Sequence, residues 1–190
     1  MNKRLEILVE ERSMEVFLQG LLPRILPEEF KLNVNCFIYP HEGKSDLQKR
    51  LPKRLNAYPH YPEQVMLMVL HDQDSADCVA LKRQLQQIIE NTGTSISYVI
   101  RIACRELENW YLGDLNAVEQ VYSSSKASRL GKKKKYRTPD RTHGSKEMQQ
   151  LAEEFMKIDC ARKIATQINI KENQSESFRQ FLRGLSKLTG

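Results

Sequence analysis

The segment VMLMVLHDQD, residues 65–74, decides the fold. Its first six residues are all apolar, which is typical of a strand that is covered on both faces within a parallel sheet. His71, Asp72 and Asp74 follow directly. In parallel α/β sheets, functional groups collect at the carboxyl ends of the strands. The segment therefore predicts a central strand that ends in a candidate site.

Strands and helices alternate on either side of this segment. Further strands are predicted at 5–9, 34–38 and 96–103, where short apolar or alternating runs occur. The alternation predicts an α/β fold, with a mainly parallel sheet of about four strands, flanking helices and a helical C-terminal part. We expect residues 1–122 to form the α/β core. Residues 123–190 are expected to add a basic loop and helices packed on that core, within a single domain.

The helices are predicted from apolar residues at helical spacing. Ser13 is a plausible N-cap for the first helix, and Pro52 is expected to break or kink the second. The predicted helical ranges are 14–26, 41–58, 75–90, 106–122, 145–157, 159–167 and 176–187.

The positive charge of the chain is concentrated in one segment. The formal net charge is +6, but residues 122–146 alone contain nine Lys or Arg and a single acid, Asp140. This segment therefore supplies the whole positive excess. A concentrated basic loop on a mildly acidic body favours a polyanionic partner such as DNA or RNA. The predicted nucleic-acid-binding residues are Lys132, Lys133, Lys134, Lys135 and Arg137.

The composition argues against a membrane span, a signal peptide and a zinc site. No apolar run approaches the roughly 20 residues of a membrane span, and the apolar stretch near the N-terminus is too short and too acidic for a signal peptide. We expect a cytoplasmic protein that does not bind membranes. Four cysteines and four histidines are scattered along the chain, so they do not indicate a zinc site.

Acidic residues follow two of the predicted strands. Glu10 and Glu11 come after the first strand, as Asp72 and Asp74 come after the third. If these strands are neighbours, the carboxylates converge, and an all-oxygen ligand set suits Mg²⁺ or Mn²⁺. The alternative is that the acids are solvated loop residues or helix caps, with Asp74 capping the helix near Ser75.

A glutamate that ends the first strand, with D-x-D ending a later strand, resembles the pattern of Toprim domains, which have a Rossmann-like sheet. Topoisomerases, primases and the overcoming-lysogenization-defect (OLD) nucleases share this pattern. The chain most resembles a bacterial Toprim-like family of unknown function that is often encoded beside an AAA ATPase, including toxin-like components of abortive-infection systems. The matching pieces run in order along nearly the whole chain: ILVEERSMEVFL, PHEGKSDLQKRLPKRL, LHDQDSADC, CRELENWYLGD, HGSKEMQQL and SESFRQFLRGL.

The resemblance implies Mg²⁺- or Mn²⁺-dependent phosphodiester chemistry, with Glu10, Asp72 and Asp74 as metal ligands. It also implies a lysine, Lys146, that faces the scissile phosphate, and an ATPase partner of the AAA or ABC type in anti-phage defence. The chain departs from the OLD pattern at Met14, where a second acid is common. Glu11 and Glu15 are the nearest substitutes, and a full two-metal site is therefore in question.

Other polar residues near the predicted strand ends have two interpretations each. Glu106 and Glu108 either complete a metal shell or are acids in a solvated first helical turn. His71 is either a general base or a hydrogen-bonded histidine, and Lys44 either meets a phosphate or is solvated. Trp110 is expected to pack in the core.

These observations favour a metal-dependent endonuclease that cleaves DNA or RNA. Two other classes of protein stay open: a catalytically degenerate subunit that binds an ATPase, and a nucleic-acid-binding module whose acids are structural. The C-terminal helix 176–187 carries an apolar stripe that either completes the core or contributes to docking a partner.

Overall fold

The computed structural model describes residues 2–190 as an α/β fold in which the strands form one parallel sheet. The strand order is β2-β1-β3-β4, and every pairing between neighbours is parallel. This confirms the predicted fold class. The strands are β1 (Lys3–Val9), β2 (Cys36–Pro40), β3 (Gln64–Asp72) and β4 (Ser97–Ala103).

Helices connect the strands and form the C-terminal part. They are α1 (Arg12–Leu21), α2 (Lys44–Ala57), α3 (Cys78–Glu90), α4 (Glu108–Leu112), α5 (Leu115–Val121), α6 (Lys134–Arg137), α7 (Gly144–Leu151), α8 (Lys157–Gln167) and α9 (Glu176–Thr189). Short 3₁₀ turns occur at Leu22–Arg24, Tyr58–His60, Ser123–Ser125, Ala127–Leu130 and Pro139–Arg141. The segment 123–145, which was expected to be a loop, therefore contains local helical structure.

Several predicted boundaries were wrong, and capping explains one of them. Ser13 lies inside α1 rather than capping it, and its hydroxyl bonds the Glu11 carboxylate. The helix expected from residue 75 begins only at α3, because the Asp77 carboxylate accepts a bond from Ala80 N at 2.8 Å. Asp74 is therefore not the cap. The helix α2 continues through Pro52 without a break.

The helix expected over 106–122 is divided into α4 and α5. Gly113 lies between them against Asn173, where an added Cβ would be only 2.1 Å from Asn173 Oδ1. Asp114 then caps α5 by accepting a bond from Ala117 N at 3.1 Å. The interruption therefore coincides with a close contact to the C-terminal part of the chain and with a local cap.

The sheet separates two hydrophobic cores. Met66, Met68 and Leu70 of β3 face the larger core, which contains residues of α1, α4, α5, α8 and α9. Leu67 and Val69 face the smaller core, formed with α2 and α3. Both faces of β3 are covered, which is the physical reason for its continuous apolar sequence.

The C-terminal helix α9 completes the larger core. Its apolar stripe is buried at Phe178, Phe181, Leu185 and Leu188, and the helix packs on β4. Trp110 is fully buried, with ring centroids 5.2 and 5.1 Å from those of Phe178 and Phe181. These contacts confirm that Trp110 is a core residue and that the stripe covers its own domain.

Among residues 2–190, none of the helices combines the length and the apolar character needed to cross a membrane.

Gly144, at the start of α7, allows a close approach to α4. An added Cβ would lie 2.8 Å from the backbone N of Asn109 and 2.9 Å from Glu108 Cβ. We expect Gly144→Ala to lower the free energy of unfolding by about 1–3 kcal/mol, because α7 must move away. Chemical denaturation measures the change. The control is Gly131→Ala, where the nearest atom would be 3.7 Å away; equal effects of the two substitutions would contradict the expected clash.

Candidate functional site

The candidate site lies where β1 and β3 end side by side. These two strands are neighbours, so the condition for the acids to converge is met. The sheet order reverses between them, since β2 lies beyond β1 and β4 beyond β3. In open α/β sheets such a reversal creates a crevice at the carboxyl ends of the strands. Asp72 N donates a hydrogen bond to Glu10 Oε2 at 3.0 Å. This bond joins the two predicted acidic positions directly.

Glu10 is held by His71. The His71 Nδ1 atom lies 2.7 Å from Glu10 Oε2 and 2.5 Å from the Asp72 carbonyl oxygen. The pKa of Glu10 is lowered from its usual value. Burial alone would raise it, but the hydrogen bond with His71 and the charge of His71 lower it, with a smaller contribution from the charge of Lys44. His71 is fully buried, and its Nε2 atom has no partner among the described residues. His71 therefore fixes the orientation of Glu10, which fits the hydrogen-bonded interpretation.

Asp72 and Glu108 form a buried acidic pair. Their relative exposures are 6 % and 0 %, so little water reaches either carboxylate. Burial raises the pKa of Asp72 well above its usual value, and the charges of Glu108 and Glu10 raise it further. Burial likewise raises the pKa of Glu108 to about 7. Asp72 Oδ1 and both carboxylate oxygens of Glu108 have no hydrogen-bond partner among residues 2–190.

Glu11 lies on the same side as this pair, although it is adjacent to Glu10 in sequence. Its charge contributes to the raised pKa values of both Asp72 and Glu108. Glu10 and Glu11 follow β1, and the backbone at Glu11 is still extended. Since successive side chains of an extended segment point to opposite sides, this dipeptide supplies one carboxylate towards His71 and one towards Glu108.

Lys157 is a member of the site that the sequence did not reveal. It is the first residue of α8, and its Nζ atom lies 3.7 Å from Glu11 Oε1 and 3.8 Å from Glu108 Oε1. Burial alone would lower its pKa, but the charges of Glu108, Glu11 and Asp72 raise it. Lys157 has no recognisable motif around it, and it reaches the acids only because α8 packs against α1.

Two residues beside the acids have strained backbones. Asp74 has φ +53° and Arg105 has φ +64°, which non-glycine residues seldom adopt. Their loops are bonded to each other, since Asp74 N donates to the Arg105 carbonyl oxygen at 2.8 Å. Such strain concentrates at functional sites. Asp74 as a whole is exposed, but its carboxylate is partly shielded from water. This partial burial and the charge of Glu10 raise the pKa of Asp74.

These loops border a small cavity of about 260 Å³, lined by Asp74, Ser75, Arg105, Glu106 and His143. Glu106 Oε2 accepts a bond from Ser145 N at 2.6 Å, so Glu106 caps the start of α7. A larger cavity, of about 710 Å³, surrounds the start of α5 and shares none of these residues. The smaller cavity is the one that adjoins the strained loops, and two of the acids, Asp74 and Glu106, line it.

Two predicted residues, Glu15 and Lys146, make no hydrogen bond or ion pair with these acids in the described chain. The Glu15 carboxylate bonds Arg12 and Gln19 along its own helix. Lys146 is exposed on α7, and no acid of the described chain pairs with it within 4.0 Å. The structure therefore brings together Glu10, Glu11, Asp72, Asp74, Glu106 and Glu108, with His71 and Lys44 beside Glu10.

No group of three or more His, Cys, Asp or Glu side chains within residues 2–190 is already arranged to hold a metal ion. Part of the reason is that the Glu10 carboxylate is directed to His71, whereas Asp72 faces Glu108. The donor set nevertheless fits a divalent cation. Buried carboxylate oxygens without hydrogen-bond donors are costly, and a bound cation would compensate them.

The predicted nucleic-acid-binding residues Lys132, Lys133, Lys134, Lys135 and Arg137 are all exposed. Lys135 pairs with Glu147 of α7 at 2.6 Å, and the Tyr136 hydroxyl donates to the same carboxylate at 3.0 Å. The following residues are bonded to α4, because Asn109 Nδ2 donates to the Pro139 carbonyl oxygen at 2.7 Å. The basic segment is thus attached to the helix that carries Glu108.

A family model described as a domain of unknown function (DUF4276) matches residues 9–186. The chain belongs to the DUF4276 family. Neither the curated proteins nor the solved structures compared with this DUF4276 chain include a significant match. The match covers the site from Glu10 to Lys157, together with the basic segment, so all of these features lie within the DUF4276 region.

The raised pKa of Glu108 predicts a pH-dependent stability. The folded state holds this proton more tightly than the unfolded chain, so the free energy of unfolding of the metal-free protein falls as pH rises from about 4.5 to about 7. We expect Glu108→Gln to be more stable than wild type at pH 8, by up to about 3 kcal/mol, and similar to it near pH 4.5. Thermal unfolding in EDTA measures this. Glu153→Gln, at an exposed site, is the control; a Glu108→Gln difference that is independent of pH would contradict the assignment.

Proposed function

We propose that this chain is a metal-dependent nuclease that hydrolyses phosphodiester bonds of DNA or RNA. One observation carries the proposal: buried carboxylate oxygens of Asp72 and Glu108 lack donors at the junction of β1 and β3. This is the position at which a parallel sheet presents its functional groups. The exposed lysines attached to α4 supply a neighbouring surface for a polyanion.

The residues that would hold Mg²⁺ or Mn²⁺ are Glu10, Asp72 and Asp74, with Glu106 and Glu108 completing the shell. A bound divalent cation supplies Lewis-acid activation of the phosphoryl oxygen and stabilises the leaving oxyanion. His71 keeps Glu10 oriented through the 2.7 Å contact. Lys44, at the start of α2 on the Glu10 side, offsets negative charge that develops on the phosphate.

The basic segment binds the backbone of the nucleic acid without reading its sequence. Lys132, Lys133 and Lys134 have no ion-pair partner in residues 2–190, so they are available to bind phosphates. Lys135 is committed in part to Glu147 and serves to fix the segment. Charge-based interactions of this kind determine affinity and position, not specificity.

The Toprim-like resemblance supports a role as the effector of an anti-phage system that works with an AAA or ABC-type ATPase. The sequence contains no G-x-x-x-x-G-K nucleotide-binding loop, so any dependence on ATP requires another protein. Most of the apolar stripe of α9 is buried in the core of this chain. Docking of an ATPase would therefore use other surfaces, and co-expression followed by size exclusion with and without nucleotide tests the association.

A second candidate function is that of a degenerate subunit that binds nucleic acid without cleaving it. The observation that favours it is Met14, which is fully buried in the larger core at the position where related sites have an acid. Turnover distinguishes the two candidates, since only a nuclease produces new strand ends.

The cleavage test uses the purified chain with plasmid DNA and total tRNA, in Mg²⁺ or Mn²⁺ and in EDTA. We expect metal-dependent cleavage that Asp72→Asn and Asp74→Asn each reduce at least about 100-fold, since each removes a ligand charge from the metal. Glu90→Gln, at the distant end of α3, should retain wild-type activity. Cleavage by Asp72→Asn at the wild-type rate would refute the metal-ligand assignment, and binding without cleavage by wild type would favour the degenerate subunit.

The basic surface is tested through the salt dependence of binding. We expect the triple substitution of Lys132, Lys133 and Lys134 by Gln to weaken binding on all sequences. The slope of log K against log salt should fall by roughly 0.7 to 0.9 for each phosphate that the variant no longer neutralises. Fluorescence anisotropy measures the slope. A matched triple of exposed lysines on α2 and α3, Lys49, Lys53 and Lys82 to Gln, should leave the slope unchanged; equal slopes for the two triples would exclude the segment as the binding surface.

A further inference from the structure

Two cysteines lie together at the carboxyl edge of the sheet. Cys78 is the first residue of α3, and Cys104 follows the last residue of β4. Their side chains are in contact, since a hydrogen bond between the two thiols contributes to the pKa of each. Both residues are half-buried, and neither is in a disulfide. The pair is therefore accessible to a thiol reagent in solution.

Backbone hydrogen bonds hold the two cysteines in this position. Gln73 N donates to the Ala103 carbonyl oxygen at 2.9 Å, and Asp74 N donates to that of Arg105 at 2.8 Å. The Arg105 N atom donates in turn to Gln73 Oε1 at 3.1 Å. Cys104 thus lies between two residues that are bonded to the loop after β3, and this loop leads into α3. The fold therefore keeps the two thiols close without a crosslink.

The other two cysteines of the chain are placed differently. Cys36 and Cys160 are fully buried in the larger core. An oxidant in solution does not reach them in the folded chain, so they serve as internal controls for the accessible pair.

We propose that Cys78 and Cys104 form a redox-sensitive pair, and that their disulfide fixes to each other the loops that carry Asp74 and Arg105. These loops border the candidate site and contain its two strained backbones. Residues 2–190 include no group of three acids already arranged for a metal ion, so a ligand of this kind requires the acids to rearrange. A crosslink between the loops opposes such a rearrangement at Asp74.

The reaction requires an oxidant, and a small-molecule disulfide such as oxidised glutathione is sufficient. The Cys78 thiolate attacks one glutathione sulfur, the S–S bond of glutathione breaks, and one glutathione thiolate leaves. Cys104 then loses its proton and attacks the Cys78 sulfur of the mixed disulfide, which releases the second glutathione. The two cysteines together lose two electrons and two protons, and one glutathione disulfide becomes two thiols.

Both thiols are expected to react slowly. Burial and the charge of Asp77 raise the pKa of Cys78, and burial raises the pKa of Cys104 to about 11. Because the thiolate is the attacking form, exchange near neutral pH needs a long incubation.

The test incubates the folded chain with oxidised glutathione and then blocks the remaining thiols with iodoacetamide in denaturant. Mass spectrometry without reductant identifies the linked peptides. We expect one disulfide, between Cys78 and Cys104, with alkylation of Cys36 and Cys160, and dithiothreitol should restore the reduced chain. Amide hydrogen exchange of residues 73–77 and 103–106 should be slower in the crosslinked chain than in the reduced chain.

Single variants are the matched controls. Cys78→Ser leaves Cys104 without a partner, so it should form at most a mixed disulfide with glutathione, and exchange of the loop amides should not slow. Cys104→Ser should behave in the same way, and circular dichroism verifies that each variant is folded.

Each outcome either supports the pair or overturns it. Retention of all thiols by wild type after the incubation, or a disulfide that involves Cys36 or Cys160, would overturn the pairing. Glutathione that stays attached to Cys78 in wild type would also overturn it, because Cys104 would then fail to displace it. Unchanged amide exchange in the crosslinked chain would overturn the restraint of the loops. None of these measurements requires the chain to be a nuclease, so their outcome is independent of the proposed function.

Discussion

The parallel pairing of β1 with β3, in register from Lys3 and Gln64 to Val9 and Leu70, determines where the acids of the site lie. With these strands side by side, Glu10 and Asp72 end at the same edge and share a hydrogen bond. The loop after β4 adds Arg105 and Glu106 beside them, because β4 is in register with the other side of β3. The continuous apolar sequence of β3 makes this arrangement possible, since it stabilises a strand covered on both faces.

Burial and like charge act together at this edge. Water is largely excluded from Asp72 and Glu108, and burial together with neighbouring acids raises the pKa of each. The fold therefore keeps carboxylates where their ionised forms are costly, in an arrangement that favours binding a cation. The strained backbones of Asp74 and Arg105 are a second local cost in conformational free energy. Neither feature is needed to stabilise the sheet, which is why both point to function.

The sequence predicted the features that depend on local pattern. The strands, their parallel arrangement and the convergence of Glu10 with Asp72 follow from apolar runs and from the position of acids after them. Helix boundaries were less well predicted, because capping by Asp77 and packing of Gly113 against Asn173 involve specific contacts. Lys157 was missed for the same reason: only the packing of α8 on α1 brings it to the acids. The role of Lys146 is implied by the resemblance alone, and its exposed side chain forms no ion pair with an acid of the described chain.

The opposite orientations of Glu10 and Glu11 place one carboxylate against each helical layer of the fold. Glu10 is connected through His71 and Lys44 to the layer of α2 and α3, whereas Glu11 is connected through Lys157 to the layer of α1 and α8. The sheet otherwise keeps the two hydrophobic cores apart. A ligand bound to both of these adjacent carboxylates would therefore contact groups attached to both helical layers through a single dipeptide. The carboxyl edge of the sheet is the place where one small ligand reaches both of the layers that the sheet separates.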